Sequence, residues 1–207
     1  MGMGLVHDIW GPFFWIYQRK NKYITVQSIN AILTGLKIVV PTQNDADSLS
    51  QDGYGTRNKG LLILQPFEAL YLVEKERLTI IDEQRKKNIS FQELLNISLE
   101  TDPLLWTKYI IYRDIRGRGF VTKETGEKGV SFIVYERGCY KSKPPSYYVY
   151  TVYEGMPETI GHLKEILEQT KVSSKELKLA VVDRRGEIVY YSLNEINFDN
   201  LLLEYIN

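Results

Sequence analysis

The sequence predicts a chain of mixed α/β (α+β) class, in which a small N-terminal α/β domain precedes an αβββαββ domain. Two observations indicate this class. Over about the first hundred residues, short apolar runs of strand length are mixed with segments whose apolar residues have helical spacing. After Gly119 the hydrophobic period changes to two over three successive runs, returns once to helical spacing, and ends in a hairpin pattern. We place the domains at residues 1–102 and 103–207.

The N-terminal region is predicted to begin with short strands. The stretch "YITVQSINAILTGLKIVV" alternates in short apolar runs, with turns expected at Asn30 and Gly35. Residues 41–60 are polar and rich in glycine, which predicts a loop or a set of turns. The next stretch, "QPFEALYLVEKERL", has apolar residues at helical spacing and predicts a helix.

Two further helices are indicated by their start signals. Ser90 and Glu93 form a capping-box pattern before "FQELLNISLE". The tripeptide "TDP" at residues 101–103 offers an N-cap and a proline for the first position of a helix over "LLWTKYIIYRDIRGRG". We expect this helix to end at Gly117 or Gly119.

The remaining sequence predicts a sheet with one helix. "GFVTKE", "VSFIVYER" and "YYVYTVYEG" alternate as strands, with a turn expected around residues 126–129. Residues 156–171 have helical spacing, and "LKLAVVDRRGEIVYYSL" predicts a hairpin across Arg184–Gly186. The tail, residues 194–207, is expected to form a last short helix.

Composition excludes several classes of protein. The 26 basic side chains balance the 26 acidic ones, so no overall cationic field indicates a nucleic-acid partner. The single cysteine, Cys139, excludes an internal disulfide framework and fits a reducing compartment. The apolar stretch "IWGPFFWIY" is interrupted by Pro12, is too short to span a bilayer, and lacks the features of a secretory signal. We therefore expect a cytoplasmic protein with no membrane partner.

Few residues are candidates for a site on pattern alone. Neither His7 nor His162 has a partner at metal-ligand spacing, so neither a metal site nor a cofactor is predicted, and His162 fits a surface position on its helix. Arg113, Arg116 and Arg118 form a basic tract that could contact RNA phosphates. The alternative is that these arginines complement the helix dipole and pair with Asp114.

Four stretches together resemble the archaeal tRNA-splicing endonuclease family: "DGYGT", "SFQELL…TDPLLWTKYIIYRDIRGRGFVTK", "FIVYERG" and "LKLAVVDRRGEIVYY". They occur in order and with suitable spacing over roughly residues 30–193. The resemblance implies cleavage of pre-tRNA at bulge-helix-bulge junctions without a metal, which leaves a 2′,3′-cyclic phosphate and a 5′-hydroxyl. It also implies the strand and helix order predicted for the C-terminal domain.

The resemblance implies three catalytic positions. The chemistry needs a base for the 2′-hydroxyl, an acid for the departing 5′-oxygen, and a cation for the phosphorane. The family uses a tyrosine, a histidine and a lysine, which match Tyr135, Pro145 and Lys175 here. Proline has no titratable group and no side-chain donor, and loss of a general acid typically costs about 10²–10⁴-fold in rate.

The missing histidine makes the chain resemble the structural subunit of a heterotetrameric endonuclease, with a catalytic paralogue as its partner in an α2β2 assembly. Glu168 falls where catalytic subunits can carry an arginine that clamps a bulge base. Two alternatives stay open. The chain could be an active endonuclease in which Lys141, Lys143 or His162 supplies the acid, or a free-standing RNA-binding protein.

The resemblance also implies an assembly role for the last hairpin. Its tip, "DRRGE", matches an acidic loop that docks into a neighbouring dimer; Asp183 and Glu187 keep the acids, although two arginines lie between them. The strand after the tip is expected to pair with another subunit and so hide its edge, through Ile188, Val189, Tyr190 and Tyr191. We expect the helix at 156–171 to cover one face of this strand and a second subunit to cover the other.

Overall fold

The computed structural model describes residues 28–125, 131–171 and 175–193, and over these residues the chain forms two sheets and five helices. The strands are β1 (Ile29–Thr34), β2 (Lys37–Val40), β3 (Thr56–Asn58), β4 (Leu61–Leu64), β5 (Leu78–Asp82), β6 (Asn88–Ile89), β7 (Val121–Glu124), β8 (Phe132–Tyr135), β9 (Tyr147–Tyr153), β10 (Glu176–Val182) and β11 (Ile188–Leu193). The helices are α1 (Gln43–Gln51), α2 (Pro66–Glu74), α3 (Phe91–Leu99), α4 (Leu105–Gly117) and α5 (Ile160–Lys171). The predicted mixed α/β class is confirmed.

The first sheet has six strands in the order β3-β4-β2-β1-β5-β6. β1 pairs antiparallel with β2 and parallel with β5, so the chain between them crosses over through α1 and α2. The predicted capping box of α3 is confirmed, because the Ser90 hydroxyl accepts from the Glu93 amide while the Glu93 carboxylate accepts from the Ser90 amide.

Two expectations for the first sheet were wrong. Asn30 lies inside β1, and the β1–β2 turn is made at Gly35, whose φ is +60°. The predicted loop over residues 41–60 contains α1 and β3. Helix α1 buries only Ala46 and Leu49, so its apolar pattern is too sparse to be recognised in the sequence.

Helix α4 begins two residues later than the "TDP" signal predicted. Asp102 accepts from the amide of Leu104 through its side chain, and the helix starts at Leu105, so Pro103 lies in a turn before the helix. The predicted end at Gly117 is confirmed. Gly119 follows with a φ of +87°, a conformation that glycine adopts without strain.

The second sheet has the order β11-β10-β9-β8-β7 and is covered differently on its two faces. We call the face toward α4 the inner face; its fully buried residues are Phe132, Val134, Val149, Ala180 and Val182. The outer face packs on α5, where Ile166 forms a small separate cluster with Tyr148 and Leu177. The predicted hairpin is confirmed as β10–β11.

The coverage of β11 differs from the expectation. Ile188 and Tyr190 lie on the inner face, packed on the main core, and the Tyr190 hydroxyl donates to Asp114 of α4 at 2.9 Å. On the outer face, Leu193 packs near Ile166 of α5, whereas Val189 and Tyr191 are 50% and 55% exposed. Helix α4 therefore covers one face of the strand, and α5 leaves most of the other face open.

The sequence "DGYGT" forms part of the contact between the two halves of the chain. A Cβ on Gly53 would lie 2.4 Å from Val121 Cγ1, so only glycine allows this approach. The Lys123 ammonium donates to the Gly55 carbonyl at 2.7 Å and to the carboxylate of Glu68, which is 1% exposed, at 3.0 Å. The Glu68 carboxylate also accepts from the amides of Gly55 and Gln65. These contacts join the start of the second sheet to the first half of the chain.

One buried core extends through both halves. The Phe67 ring lies 4.9 Å from that of Tyr112 and 5.5 Å from that of Phe132, and the three residues come from α2, α4 and β8. One sheet lies on each side of residues 102 and 103, but the two halves share a buried interior. The domain boundary at these residues therefore stays a prediction. The apolar stretch at 9–17, His7, the turn at 126–129 and the tail helix after Leu193 lie outside the described residues. None of the five described helices is long and apolar enough to cross a bilayer.

Candidate active site

Strand pairing brings the three predicted catalytic positions to one end of the second sheet. β8 runs antiparallel to β9 with Val134 opposite Tyr147, and β10 runs parallel to β9 with Glu176 opposite Tyr147. Tyr135 ends β8, Pro145 lies two residues before β9, and Lys175 directly precedes β10. The sheet thus gathers positions that are forty residues apart in the chain.

The Tyr135 ring contacts a neighbour that sequence reasoning missed. Tyr140 packs edge-to-face against it, with the ring centroids 5.2 Å apart, and burial raises the pKa of Tyr140. Next to it, the Lys141 ammonium donates to the Ser50 carbonyl of α1 at 3.0 Å and lies 5.5 Å from the Tyr140 ring centroid. The loop after β8 is therefore anchored on the first half of the chain.

The same loop carries the proline that replaces the expected histidine. The Cys139 carbonyl accepts from the amides of Ser142 and Lys143, and Lys141 has a φ of +66°, which makes the loop a series of tight turns. The loop rejoins the sheet where the Ser146 amide donates to Val134. Pro145 is partly exposed just before that point and contributes no proton donor.

His162 lies away from the end of the sheet that holds the candidate catalytic positions. Its Nδ1 is 2.7 Å from a Glu158 carboxylate oxygen, and its ring packs edge-to-face on Tyr150 at 5.9 Å. Tyr150 is three residues beyond Tyr147 on β9, which corresponds to about 10 Å along the strand. The surface position predicted for His162 is confirmed.

A cleft of about 370 Å³ lies on the inner face at the same end of the sheet. Its lining includes three carboxylates and two cations: Asp114, Glu136, Glu176, Arg118 and Lys178. Glu136 and Glu176 directly follow Tyr135 and Lys175, and successive strand residues point to opposite faces. Because each glutamate follows a candidate residue by one position, the sequence could have predicted that both lie on the opposite face and form this acidic cleft. Over residues 28–125, 131–171 and 175–193, no group of three His, Cys, Asp or Glu side chains could hold a metal ion.

The three candidate arginines make contacts within the chain. Arg113 lies 3.6 Å from the Glu74 carboxylate, and Arg118 lies 3.0 Å from that of Asp114. The Arg116 guanidinium stacks 4.0 Å above the Tyr54 ring and donates to the Asp52 carbonyl. The pairing with Asp114 considered as an alternative is present for Arg118. RNA contact by these arginines stays a prediction.

The tip of the β10–β11 hairpin is stabilised by the side chain of Asp183. The Asp183 carboxylate accepts from the amides of Arg185 and Glu187, both at 2.8 Å, and Gly186 has a φ of +82°. The Arg184 amide donates to the Glu154 carboxylate. Docking of Asp183 and Glu187 into a neighbour stays a prediction, with Asp183 already satisfied by the turn.

Comparison with known proteins agrees with this architecture. A family model described as "tRNA intron endonuclease, N-terminal domain" matches residues 29–95, and one described as "tRNA intron endonuclease, catalytic C-terminal domain" matches residues 105–190. A tRNA-splicing endonuclease of Methanococcus vannielii is 32% identical over 167 residues, which span 81% of this chain and 94% of that protein.

Two further curated relatives show the same extent of similarity. A tRNA-splicing endonuclease of Methanococcus maripaludis is 30% identical over 81% of this chain and 94% of its own length. One of Thermococcus kodakarensis is 29% identical over 80% of this chain and 97% of its own length. Both domain models and near-complete coverage of these relatives establish that the chain belongs to the tRNA-splicing endonuclease family.

Proposed function

We propose that this chain is a structural, non-catalytic subunit of an endonuclease that excises introns from pre-tRNA at bulge-helix-bulge junctions. The products would be a 2′,3′-cyclic phosphate and a 5′-hydroxyl. One observation carries the proposal: Pro145 lies at the same end of the sheet as Tyr135 and Lys175, the other two candidate positions. A base and a cation without an acid leave the departing 5′-oxygen unprotonated.

The candidate replacements for the acid are poorly placed. Lys141 is held by the Ser50 carbonyl, and His162 is held by Glu158 about 10 Å along β9. A general acid must come within hydrogen-bond reach of the leaving oxygen. These contacts favour the structural role over an active endonuclease with a substituted acid. The family membership favours a role within the enzyme over a free-standing RNA-binding protein.

The proposed partner is a paralogous catalytic subunit in an α2β2 assembly that acts on pre-tRNA in the cytoplasm. The exposed outer side of β11 supports this, because Val189 and Tyr191 form an apolar pair on an edge strand. Edge strands with apolar faces tend to be covered by another chain. In this proposal, residues 1–102 and 103–207 are the two domains, and Arg113, Arg116 and Arg118 are candidate RNA contacts.

Cleavage assays with the purified chain and its paralogue test the proposal. The chain alone should leave a bulge-helix-bulge RNA intact, and the mixture should cut it. Tyr135→Phe in this chain should leave the mixture active, whereas the matching Tyr→Phe change in the paralogue should abolish cleavage. Cleavage by the chain alone that is lost in Tyr135→Phe would contradict the structural role.

Restoring the histidine should not restore activity. In Pro145→His, the loop stays anchored through Lys141 and the Tyr135–Tyr140 contact, so the imidazole is not aimed at the leaving oxygen. We expect cleavage by this variant alone to stay at background in the same assay. Robust cutting would show that the pocket is otherwise intact and that the proline is the single defect.

A further inference from the structure

An apolar cavity of about 250 Å³ opens beside the first turn of α4, at the opposite end of β9 from the candidate active site. Its lining is largely apolar and includes Leu104, Val152, Tyr153, Met156 and Pro157. At its mouth, Leu104 is 48% and Met156 is 55% exposed, and the nearby Trp106 is also exposed. Two large exposed apolar side chains at the mouth of one cavity, with a third exposed nearby on α4, indicate a docking surface.

One polar group in the cavity wall has no partner. Thr151 lines the cavity, and its Oγ1 is buried without a hydrogen bond to any residue in 28–125, 131–171 or 175–193. Leaving a buried hydroxyl without a hydrogen bond destabilises the fold. The accessible lining is mostly apolar, so a fitting occupant is a large, mainly apolar side chain. The indole of tryptophan has this size and chemistry.

The surroundings of the cavity are acidic. Lys108 is held by Asp102 at 2.7 Å and by Glu124 at 2.8 Å. Glu158 accepts from the Tyr150 hydroxyl and contacts His162, and these hydrogen bonds hold its pKa below the usual range. Asp102 and Glu124 thus pair with Lys108, and Glu158 lies in the cavity lining, so three carboxylates outnumber one lysine here. The occupant should carry basic residues beside its apolar anchor.

We propose that the N-terminal segment of this same chain, residues 9–22, docks in this cavity. The segment lies outside the described residues, and its sequence combines the aromatic run "IWGPFFWIY" with the basic run "QRKNK". Trp15 is the proposed anchor, whose indole would fill the apolar cavity beside Thr151. Arg19, Lys20 and Lys22 face the carboxylates. The proposal is independent of the role in pre-tRNA cleavage.

The chain is long enough for this contact. Ser28, the first described residue, lies beside Thr79 of β5, and β6 is the next strand, so Ile89 lies about 10 Å from β1 and Phe91 two residues beyond it. Ring contacts of 5.4 Å each then lead from Phe91 to Tyr109 and from Tyr109 to Trp106. With the steps from Ile89 to Phe91 and from Trp106 to Leu104 at the cavity mouth, the path is at most about 35 Å, whereas the twelve residues between Trp15 and Ser28 can span about 40 Å.

Photo-cross-linking of the full-length chain tests the proposal. With p-benzoylphenylalanine at the position of Trp15, irradiation should give a cross-link within one chain, mapped by mass spectrometry to the peptides containing Leu104 or Met156. The Leu104→Asp and Met156→Asp double change should abolish this cross-link while circular dichroism stays unchanged, because both side chains are already exposed. The matched control Leu36→Asp, at an exposed residue beside the β1–β2 turn, should retain it.

Charge reversal provides a second measurement. Arg19→Glu with Lys20→Glu should lower the yield of the same cross-link, and so should salt near 1 M, where the Debye length is about 3 Å. A cross-link that maps elsewhere, that forms only between two chains, or that survives the double change at Leu104 and Met156 would overturn the proposal. The absence of any cross-link would overturn it as well.

Discussion

The two faces of the C-terminal sheet differ in how completely they are covered. The inner face is closed by α4 and by aromatic rings from both halves of the chain, including Phe67, Tyr112 and Phe132. The outer face has one small cluster around Ile166, and beyond it Val189 and Tyr191 stay half exposed. The inner face therefore maintains the fold, whereas the outer side of β11 contributes little to it and is available for another chain.

Removal of an inner-face ring should have the largest effect. Phe132→Ala leaves a cavity where its ring met Phe67, and such changes cost about 3–5 kcal/mol. Urea unfolding of the isolated chain should show this loss, while the outer-face control Tyr191→Ala should stay within about 0.5 kcal/mol of the parent. Equal losses in the two variants would refute the contrast between the faces.

Breaking the buried ion pair between Lys123 and Glu68 should have the next largest effect on stability. Lys123→Met leaves the Glu68 carboxylate buried without its counter-ion, which should lower the free energy of unfolding by about 3 kcal/mol. Lys87→Met removes an exposed pair with Glu93 and should change the free energy of unfolding far less. Adding Glu68→Gln to Lys123→Met should recover part of the loss. No recovery would show that the lysine acts through packing rather than charge.

Two glycine substitutions distinguish the cost of backbone strain from the cost of close packing. Gly53→Ala and Gly35→Ala both place a Cβ on a left-handed residue, at a cost of about 1–2 kcal/mol. Only at Gly53 does the new atom meet a neighbour, Val121, so we expect its unfolding free energy to fall by about a further 1–3 kcal/mol. Matching losses in thermal or urea unfolding would mean that Val121 moves away freely.

Tyr191→Asp should change the stability of the isolated chain least and its association with the partner subunit most. Tyr191→Asp puts a charge on the open side of β11, so the unfolding free energy of the isolated chain should change by less than about 0.5 kcal/mol. In the proposed assembly the same charge would be buried without a partner, and copurification with the catalytic paralogue should be lost. The control Leu36→Asp should copurify normally. Retained association of Tyr191→Asp would place the assembly surface elsewhere.

The sequence predicts most helices and strands because their apolar residues repeat at the period of the structure. It fails for α1, which buries only Ala46 and Leu49, and for the short strands β4, β5 and β6. It also misplaces the start of α4, because Asp102 caps a turn rather than the helix itself. The glycines of "DGYGT" indicate turns in a sequence. Glycine is required at Gly53 because the backbone there approaches Val121. Val121 lies in the other half of the chain, so no local sequence pattern predicts this requirement.

The candidate site was predictable in part. The resemblance supplied Tyr135, Pro145 and Lys175, and the strand register gathers their positions at one end of the sheet. The anchoring of the loop was not predictable, because the bond from Lys141 to Ser50 joins residues 91 positions apart. The acidic cleft on the inner face could have been inferred, since Glu136 and Glu176 each follow a candidate residue by one position.

The shared interior has a consequence for how such a chain can change over generations. The two family models end and begin within ten residues of each other, at 95 and 105, yet the rings of Phe67, Tyr112 and Phe132 pack together across that join. A recombinant gene that took one half from a distant relative would bring together faces that had never been selected as a pair. Substitutions at these rings should therefore accumulate in compensating sets, and the whole chain, rather than either half, should be the unit that lineages exchange.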